Sequence, residues 1–369
     1  MLKNYHLRNY NFKLLILVLI AGVFGTLMIN SADSSYLKKQ VLGFSICIIG
    51  LIVLSLIDYK FISKFHLLLY ALNLLLLTAV PLFGSSANGA KRWLGSEDLI
   101  TIQPSEFSKI ILIICAARYL EDHKDSINTF KTLVVYAILC AIPLILIVQQ
   151  PDLSTTVDIF IILFTMLFVA GLSYKIIGIA ILCLVPLAGS FIWYIKRPNP
   201  LFFQEYQVTR ILAFLYPEDY TSTTQYQQDN SVMAIGSGQL FGKGLNSSTL
   251  ATVKDANLIS EQQTDFIFSV VGEELGFIGS ILIIVILGLI VVQCIKTARK
   301  ANDDKGMYIA TGVAVLIGFQ TFINIGVATS LLPNTGIPLP FISYGLSSLV
   351  SSCAAIGLVM NVSLQRRKY

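Results

Sequence analysis

The feature that most constrains this chain is the recurrence of apolar runs of about 18 residues or more, rich in Leu, Ile and Val, from one end to the other. Each such run is long enough to cross a bilayer as a helix. A helix also satisfies its own backbone polar groups where no water can do so. Charged residues make up 13% of the sequence and hydrophobic residues 55%, whereas soluble domains carry about 25% charged residues. The expected fold is an all-α polytopic membrane protein.

Ten spans are expected, near 12–31, 40–57, 65–83, 107–121, 130–149, 155–172, 175–195, 267–295, 307–329 and 343–363. The first lacks a small-residue cleavage site, so a span is expected rather than a leader. The fourth is the least apolar, holding Lys109 and Arg118 with Glu106 at its start. No internal repeat is visible, so the inverted halves of many transporters are missing. The chain reads as a single transmembrane domain, 1–369, with one large extracytoplasmic loop at about 196–266. Cys47, Cys115, Cys140, Cys183, Cys294 and Cys353 all lie inside apolar runs without a CxxC spacing. They are expected to be small buried hydrophobes rather than disulfide or metal partners.

Basic residues in short loops set orientation. With the N-terminus in the cytoplasm, sixteen Lys and Arg residues fall on that side, from Lys3, Arg8 and Lys13 to Arg366, Arg367 and Lys368. The short loops opposite carry only Lys38, Lys39, Lys91 and Arg92. The chain is therefore expected as a multi-pass protein of the cytoplasmic membrane with both termini in the cytoplasm. The net charge of +5 sits in loops beside the membrane and is no sign of nucleic acid.

Five polar segments then face outward: "NGAKRWLGSEDLITIQPSE", "QQPDLSTT", the long loop, "SEQQTDFIFSVVGEELGF" and "LLPNTGIPLPFISYG". In the first, Glu106 and Lys109 stand three residues apart, on one helix face, where they can pair. In the second, Asp152 follows the helix-breaking Pro151 and can cap the next helix. Asp158 lies inside that helix, where an ionisable group normally faces the bundle interior. In the long loop, residues 205–215 space Tyr206, Val208, Ile211, Leu212 and Leu215 as one face of an amphipathic helix. Such a helix can lie on the outer leaflet, with Arg210 toward an anionic headgroup. "GSGQLFGKG", 236–244, is not a P-loop: no glycine stands five before Gly242–Lys243, and Gly244 replaces the required Ser or Thr. It is an ordinary turn or a backbone nest for phosphate. Pro338 and Pro340 exclude a regular helix in the last segment, which suits a cavity wall. Asp265 stands at the head of an apolar run as an N-cap or a functional acid, and Glu273 and Glu274 follow it into the span.

Acids thus meet Lys91, Arg92, Lys109, Arg210 and Lys243 at one face. His6, His66 and His123 fall on or near the other side, so a general base would have to be a carboxylate. The cations suit a phosphorylated ligand, and the membrane suggests a lipid tail. A glycosyltransferase that uses a lipid diphosphate fits these parts, and so does a proton-coupled transporter.

In these same residues the sequence resembles the SEDS family, the RodA/FtsW/SpoVE group of peptidoglycan polymerases. The matching pieces are "GAKRWL" at 89–94, "QPSEFSK" at 103–109, "QQPDLST" at 149–155, "AIGSGQLFGKG" at 234–244, "TDFIFSVVGEELGF" at 264–277 and "TGIPLPFISYG" at 335–345. The resemblance implies polymerisation of lipid II into glycan strands outside the membrane. It makes Asp265 the base that activates the acceptor sugar's 4-hydroxyl. Arg92, Lys109 and Arg210 would contact the diphosphate and Glu106 would position Lys109; Lys243 and Asp152 complete the candidate substrate-binding set. A class B penicillin-binding protein and the elongation machinery are the implied partners. A divalent cation, Mg or Mn, is an implied cofactor, with Asp265 as its candidate ligand. Two departures stand out. Ser260 and Gln263 replace a Pro and a His that many members carry before "TDF". Leu346 stands where division and sporulation members usually carry Gly, which favours the RodA branch. A lipid II transporter, a division polymerase and a non-catalytic scaffold are the alternatives.

A reporter fused after Tyr369 is expected to score as cytoplasmic, and cysteines introduced at Lys91 and Lys243 to react with an impermeant thiol reagent applied from outside. Outside labelling of the 296–305 turn would reverse the orientation.

Overall fold

A computed structural model describes residues 9–87, 90–95, 101–195, 223–246 and 258–365, with positions 208, 212, 215, 216, 252, 253 and 256 between them. Among these residues ten long helices stand where ten spans were expected. They are α1 (Phe12–Ala32), α2 (Leu37–Leu56), α4 (His66–Phe83), α5 (Pro104–Asp122), α6 (Phe130–Gln149), α7 (Leu153–Val169), α8 (Tyr174–Ile195), α10 (Ile267–Arg299), α11 (Asp304–Ala328) and α12 (Leu346–Leu364). A short α3 (Tyr59–Lys64) and a polar α9 (Thr223–Ser237) complete the helices. Seven of them are long and apolar enough to cross a membrane on length and composition alone, and α7, with 17 residues, falls just short. Helix α5 does not qualify as an apolar span because of its charges, yet it is the most enclosed of the early helices, with Leu112, Ile113, Ala116, Ala117 and Leu120 wholly buried.

Helices α5, α11 and α12 form the inside. Helix α12 packs along α2, α10 along α11, and α11 touches α5 and α7. Small residues permit the close approach, as is usual where helices associate without water. A Cβ added at Gly357 would come 2.9 Å from the Leu51 carbonyl oxygen, and one at Gly25 2.5 Å from that of Phe341. Helix α4 turns most of its side chains outward, with only Asn73, Leu77 and Val80 buried. Cys47, Cys115, Cys140, Cys294 and Cys353 are buried free thiols, and the side chain of Cys183 lies outside the described residues.

Three irregular features depart from a plain bundle. A two-stranded hairpin, β1 (Ser85–Ala87) with β2 (Ala90–Trp93), follows α4. Residues 333–339 are extended or irregular, and Leu339, Phe341 and Ile342 beside them are buried, so this proline segment is enclosed by protein. Helix α10 breaks at Gly276, whose backbone sits at φ 64° and ψ −160°.

That break orphans backbone groups, and "GSGQLFGKG" satisfies them. The Lys243 and Gly244 amides donate to the Glu273 and Glu274 carbonyls at 3.0 Å each, while the Phe277 and Ile278 amides donate to the Gln239 and Leu240 carbonyls at 2.8 and 3.2 Å. The contact is so close that only glycine fits: a Cβ at Gly238 would meet the Gly272 oxygen at 1.9 Å, and one at Gly242 the Glu274 oxygen at 2.1 Å. The glycine-rich stretch is therefore a splint for a broken helix, which assigns its backbone donors to protein rather than to phosphate. Helix α9 plays a similar part for α11: Gln228 donates to the Val327 oxygen at 3.1 Å and Ser231 to the Ala328 oxygen at 2.7 Å, both in the last turn of that helix.

Gly242→Ala must place a side chain at φ +80° against the Glu274 carbonyl. It is expected to lose about 1–3 kcal/mol from backbone strain alone and to unfold at a lower temperature in detergent. Gly178→Ala, where an added Cβ meets nothing, is the control and should unfold no earlier than the native chain.

Candidate active site

Asp265 does not cap α10. The position before the helix is Phe266, and no side chain caps it. Asp265 sits instead in a turn that is stitched to the proline segment. Ser343 Oγ donates to the Thr264 oxygen at 2.5 Å and the Tyr344 amide to the Gln263 oxygen at 2.8 Å. Asn324, buried in α11, donates from Nδ2 to the Asp265 and Ile337 carbonyls, both at 2.8 Å. The carboxylate lies against Gly336, where an added Cβ would come within 3.2 Å of Asp265 Oδ2. The side chain is half-buried. A carboxylate thus stands where two irregular stretches of backbone are held together by Ser343, the Tyr344 amide and Asn324.

The next group lies beneath the α7 N-terminus. Asp152 caps that helix through the Thr155 amide at 3.3 Å. Its other oxygen accepts from Ser105 Oγ at 3.1 Å and Gln103 Nε2 at 3.2 Å. Arg92 donates to the Pro151 carbonyl, and its Nη1 stands 3.9 Å from Asp152. Ser154 Oγ donates to the Thr335 carbonyl, one residue before the Gly336 that faces Asp265. The α7 end, the proline segment and the Asp265 turn are therefore one hydrogen-bonded unit.

Deeper in the bundle, Lys109 Nζ lies 2.7 Å from Glu106 and 3.5 Å from Asp158. Gln320 Nε2 donates to the same Asp158 oxygen at 2.9 Å. Lys109 is 2% exposed, Glu106 4% and Asp158 0%. Here desolvation decides. Unpaired, any of these charges would cost several kcal/mol in a low dielectric; the one ammonium between two carboxyls offsets much of that. Asp158 thus faces the interior, as its depth implied. Contact between Lys109 and a diphosphate would require these pairs to open.

Lys243 lies 2.7 Å from Glu273, whose same oxygen accepts the Val253 amide at 2.8 Å. Glu274 accepts from Ser31 of α1 and from the Asn246 amide at 3.4 Å. Both glutamates are 1% exposed and tie the splinted end of α10 to its neighbours. Arg210 and most of 205–215 lie outside the described residues; Val208 and Leu212 from that stretch are buried and pack with Tyr194 and Tyr216. Sequence reasoning missed Asn324, Gln320, Ser154 and Ser343. The available signal was amide and hydroxyl side chains inside apolar runs, notably "FQTFIN" at 319–324, which in a membrane must find partners. Among the described residues no three His, Cys, Asp or Glu side chains form a metal-holding cluster.

Comparisons with known proteins extend along the whole chain. The FtsW/RodA/SpoVE family model, described as a cell cycle protein, matches residues 8–368. The probable peptidoglycan glycosyltransferase FtsW of Geobacter metallireducens is 34% identical, covering 98% of this chain and 96% of its own. Stage V sporulation protein E of Bacillus subtilis is 34% identical over 96% and 97%, and the peptidoglycan glycosyltransferase MrdB of Escherichia coli 30% over 96% and 93%. Among solved structures, a chain of a peptidoglycan synthase complex superposes with a TM-score of 0.80 at 26% identity, covering 96% of this chain and 97% of that one. The rod shape determining protein RodA of Thermus thermophilus does so with 0.71 at 26%, covering 98% of each.

Lys109→Met strands Glu106 and Asp158 without their cation and is expected to cost about 3–5 kcal/mol. The triple change Glu106→Gln, Lys109→Met, Asp158→Asn should recover most of that loss. Thermal unfolding of the single and triple variants in nanodiscs measures the coupling; additive losses would mean that the three do not act as a unit.

Proposed function

Because the chain belongs to the FtsW/RodA/SpoVE family of membrane-embedded peptidoglycan glycosyltransferases, we propose that it polymerises lipid II at the outer face of the cytoplasmic membrane with Asp265 as general base. The observation that carries the assignment is the half-buried Asp265 carboxylate, fixed on a turn that Asn324, Ser343 and Tyr344 bind to the proline segment. In the proposed step Asp265 takes the proton of the acceptor's 4-hydroxyl. The oxygen attacks the donor's anomeric carbon, the glycosidic bond forms, and the bond from that carbon to the lipid diphosphate breaks. The asymmetry of basic residues supports the outward placement, with both termini inside.

Arg92 and Arg210 are the proposed contacts for the departing diphosphate. Asp152, accepting from Ser105 and Gln103 beside Arg92, would orient that guanidinium. Lys109 and Lys243, each closed onto a buried acid, would shape the cavity through Glu106 and Glu273 rather than meet the phosphate first. A divalent cation, Mg or Mn, fits as a group held jointly by Asp265 and the diphosphate, since such ions bind through one or two carboxylates plus substrate phosphates. When bound it would neutralise charge on the leaving group.

A class B penicillin-binding protein is the proposed partner, in keeping with the synthase complex to which the fold is similar. Leu346 favours the elongation role; relatives bearing the FtsW, SpoVE and MrdB names align about equally well.

With purified protein, partner and labelled lipid II, Asp265→Ala is expected to lose about 10²–10⁴-fold of the polymerisation rate, the usual weight of general base catalysis, while folding normally. Polymerisation at the native rate would remove Asp265 from the role. Asn324→Leu, which removes one of the turn's three ties to the proline segment without touching the carboxylate, should lower kcat more than it raises KM.

A further inference from the structure

The tip of the glycine-rich splint is built inside out for a loop in water. Its cation is turned inward: the Lys243 side chain is 14% exposed and closes onto the buried Glu273 at 2.7 Å. Its apolar residues are turned outward: Phe241 is 77% exposed, and Leu240 and Leu245 are each 50% exposed. In water the reverse is expected, because a long cationic side chain keeps its head hydrated and lays its stem over apolar surface. Apolar residues exposed singly need no explanation, but these three have apolar neighbours across the contact with α10.

The backbone fixes which neighbours those are. The Phe277 and Ile278 amides donate to the Gln239 and Leu240 carbonyls, so Leu240 and Phe241 stand level with the first residues after the break at Gly276. Phe277 is 61% exposed and Ile278 50%, and the same open face continues along α10 through Ile281 and Leu282. The break is also where α10 changes character. Glu273 and Glu274 precede it, no charged residue occurs from Phe277 to Ile295, and Lys296, Arg299 and Lys300 follow. At 1.5 Å per residue the uncharged stretch is about 28 Å long, close to the ~30 Å of a bilayer's hydrocarbon. The hydrocarbon edge on the Asp265 side therefore falls at the break, and the splint tip is bonded to α10 at that edge.

We propose that the splint tip is a membrane wedge: Leu240, Phe241 and Leu245 enter the lipid leaflet on the Asp265 side and extend the lipid-facing surface of α10 past its break. The occupant of this face is the acyl region of bulk lipid, with which the open face of α10 is continuous. Hydrocarbon accounts for both halves of the pattern, since it accepts an exposed ring and penalises an open ammonium. It also gives the break a second support, because lipid contact keeps the splint from lifting away from the carbonyls and amides it serves. The Ile267–Leu275 piece and the Asp265 turn are left on the polar side of the hydrocarbon edge. The wedge does not depend on the reaction proposed above.

The test is tryptophan quenching in nanodiscs made with brominated phosphatidylcholine, on the full chain with its two native tryptophans replaced, Trp93→Phe and Trp193→Phe. Ile281→Trp, on the open face of α10, sets the scale for hydrocarbon contact. Phe241→Trp is expected to lose as much emission to bromine on the acyl chains as Ile281→Trp does, with a similar blue-shifted maximum, and aqueous iodide should quench neither. Quenching of Phe241→Trp by iodide but not by bromolipid, with Ile281→Trp quenched by bromolipid, overturns the proposal and leaves the tip as a water-facing surface for a protein partner. Leu240→Trp gives the same reading should Phe241→Trp fail to fold. A second measurement needs no tryptophan. Phe241→Asp should lower the unfolding temperature in nanodiscs by more than Phe241→Ala does, because it sets a charge against lipid; an equal or smaller loss would also overturn the wedge.

Discussion

A polar group inside a bilayer must be answered by protein, and the end of this molecule that carries the candidate site is an arrangement of such answers. Helix α10 breaks at Gly276, and the 238–244 stretch supplies the donors and acceptors that the break removes. The proline segment pairs with itself only around Leu339, and Asn324, Ser343 and Ser154 tie it to α11, the Asp265 turn and α7. Irregular backbone of this kind survives at membrane depth only where protein encloses it. Its use is placement. A regular helix presents side chains at a fixed pitch, whereas these segments bring Asp265, Gly336 and Asp152 to one end from three separate helices.

The same rule governs charge. Glu106, Lys109 and Asp158 are almost wholly removed from solvent, where a lone ion would cost several kcal/mol. Their pairing makes α5 tolerable as a central helix despite its composition, and it joins α5 to α7 and, through Gln320, to α11. Lys243 and Glu273 repeat the device at the splint. Buried pairs of this sort contribute little net stability, but removing one partner is costly. They therefore hold the surrounding backbone to one arrangement, which is what a positioned base requires.

Much of this was legible in the sequence because hydrocarbon imposes simple patterns. Ten apolar runs became ten helices, the Glu106–Lys109 spacing became an ion pair, and Asp158 turned inward. What the pattern left open was what each irregular segment does. Glycines in "GSGQLFGKG" permit a phosphate nest or a close backbone contact equally, and only the fold shows Gly238 and Gly242 pressed against α10. Asp265 had the local features of a cap, but capping depends on where the helix begins, and it begins after Phe266. Helix α9 escaped notice because it is mostly polar: Gln228 and Ser231 serve the carbonyls of α11, and only a short apolar stretch, Ala234 and Ile235, packs into the core clusters. The polar, non-ionic residues were the hardest to weigh: Asn324 and Gln320 carry no charge, and their importance comes wholly from what they face.

The two ends of the bundle solve different electrostatic problems. At the end crowded with basic residues, Lys60 pairs with Asp303 at 2.8 Å and Lys124 with Asp304 at 3.3 Å, both partly open to solvent. Such pairs are worth about 0–1 kcal/mol each. Burial would raise the Asp303 carboxyl, but hydrogen bonds from Lys60, the Gly306 amide and Tyr59 outweigh it and hold the group below its ordinary value. This end latches α3, α5 and the turn after it to the α10–α11 turn, and it also holds a buried cation, Lys305, at 2.8 Å from Glu121. At the opposite end the charges are desolvated and cross-bonded, so moving one moves its neighbours. A partner or substrate that shifted α7 would act through Ser154 on Thr335 and through Asp152 on Ser105 at once. Thr335 adjoins the Gly336 that faces Asp265, so hydrogen bonds already formed link α7 to the candidate base.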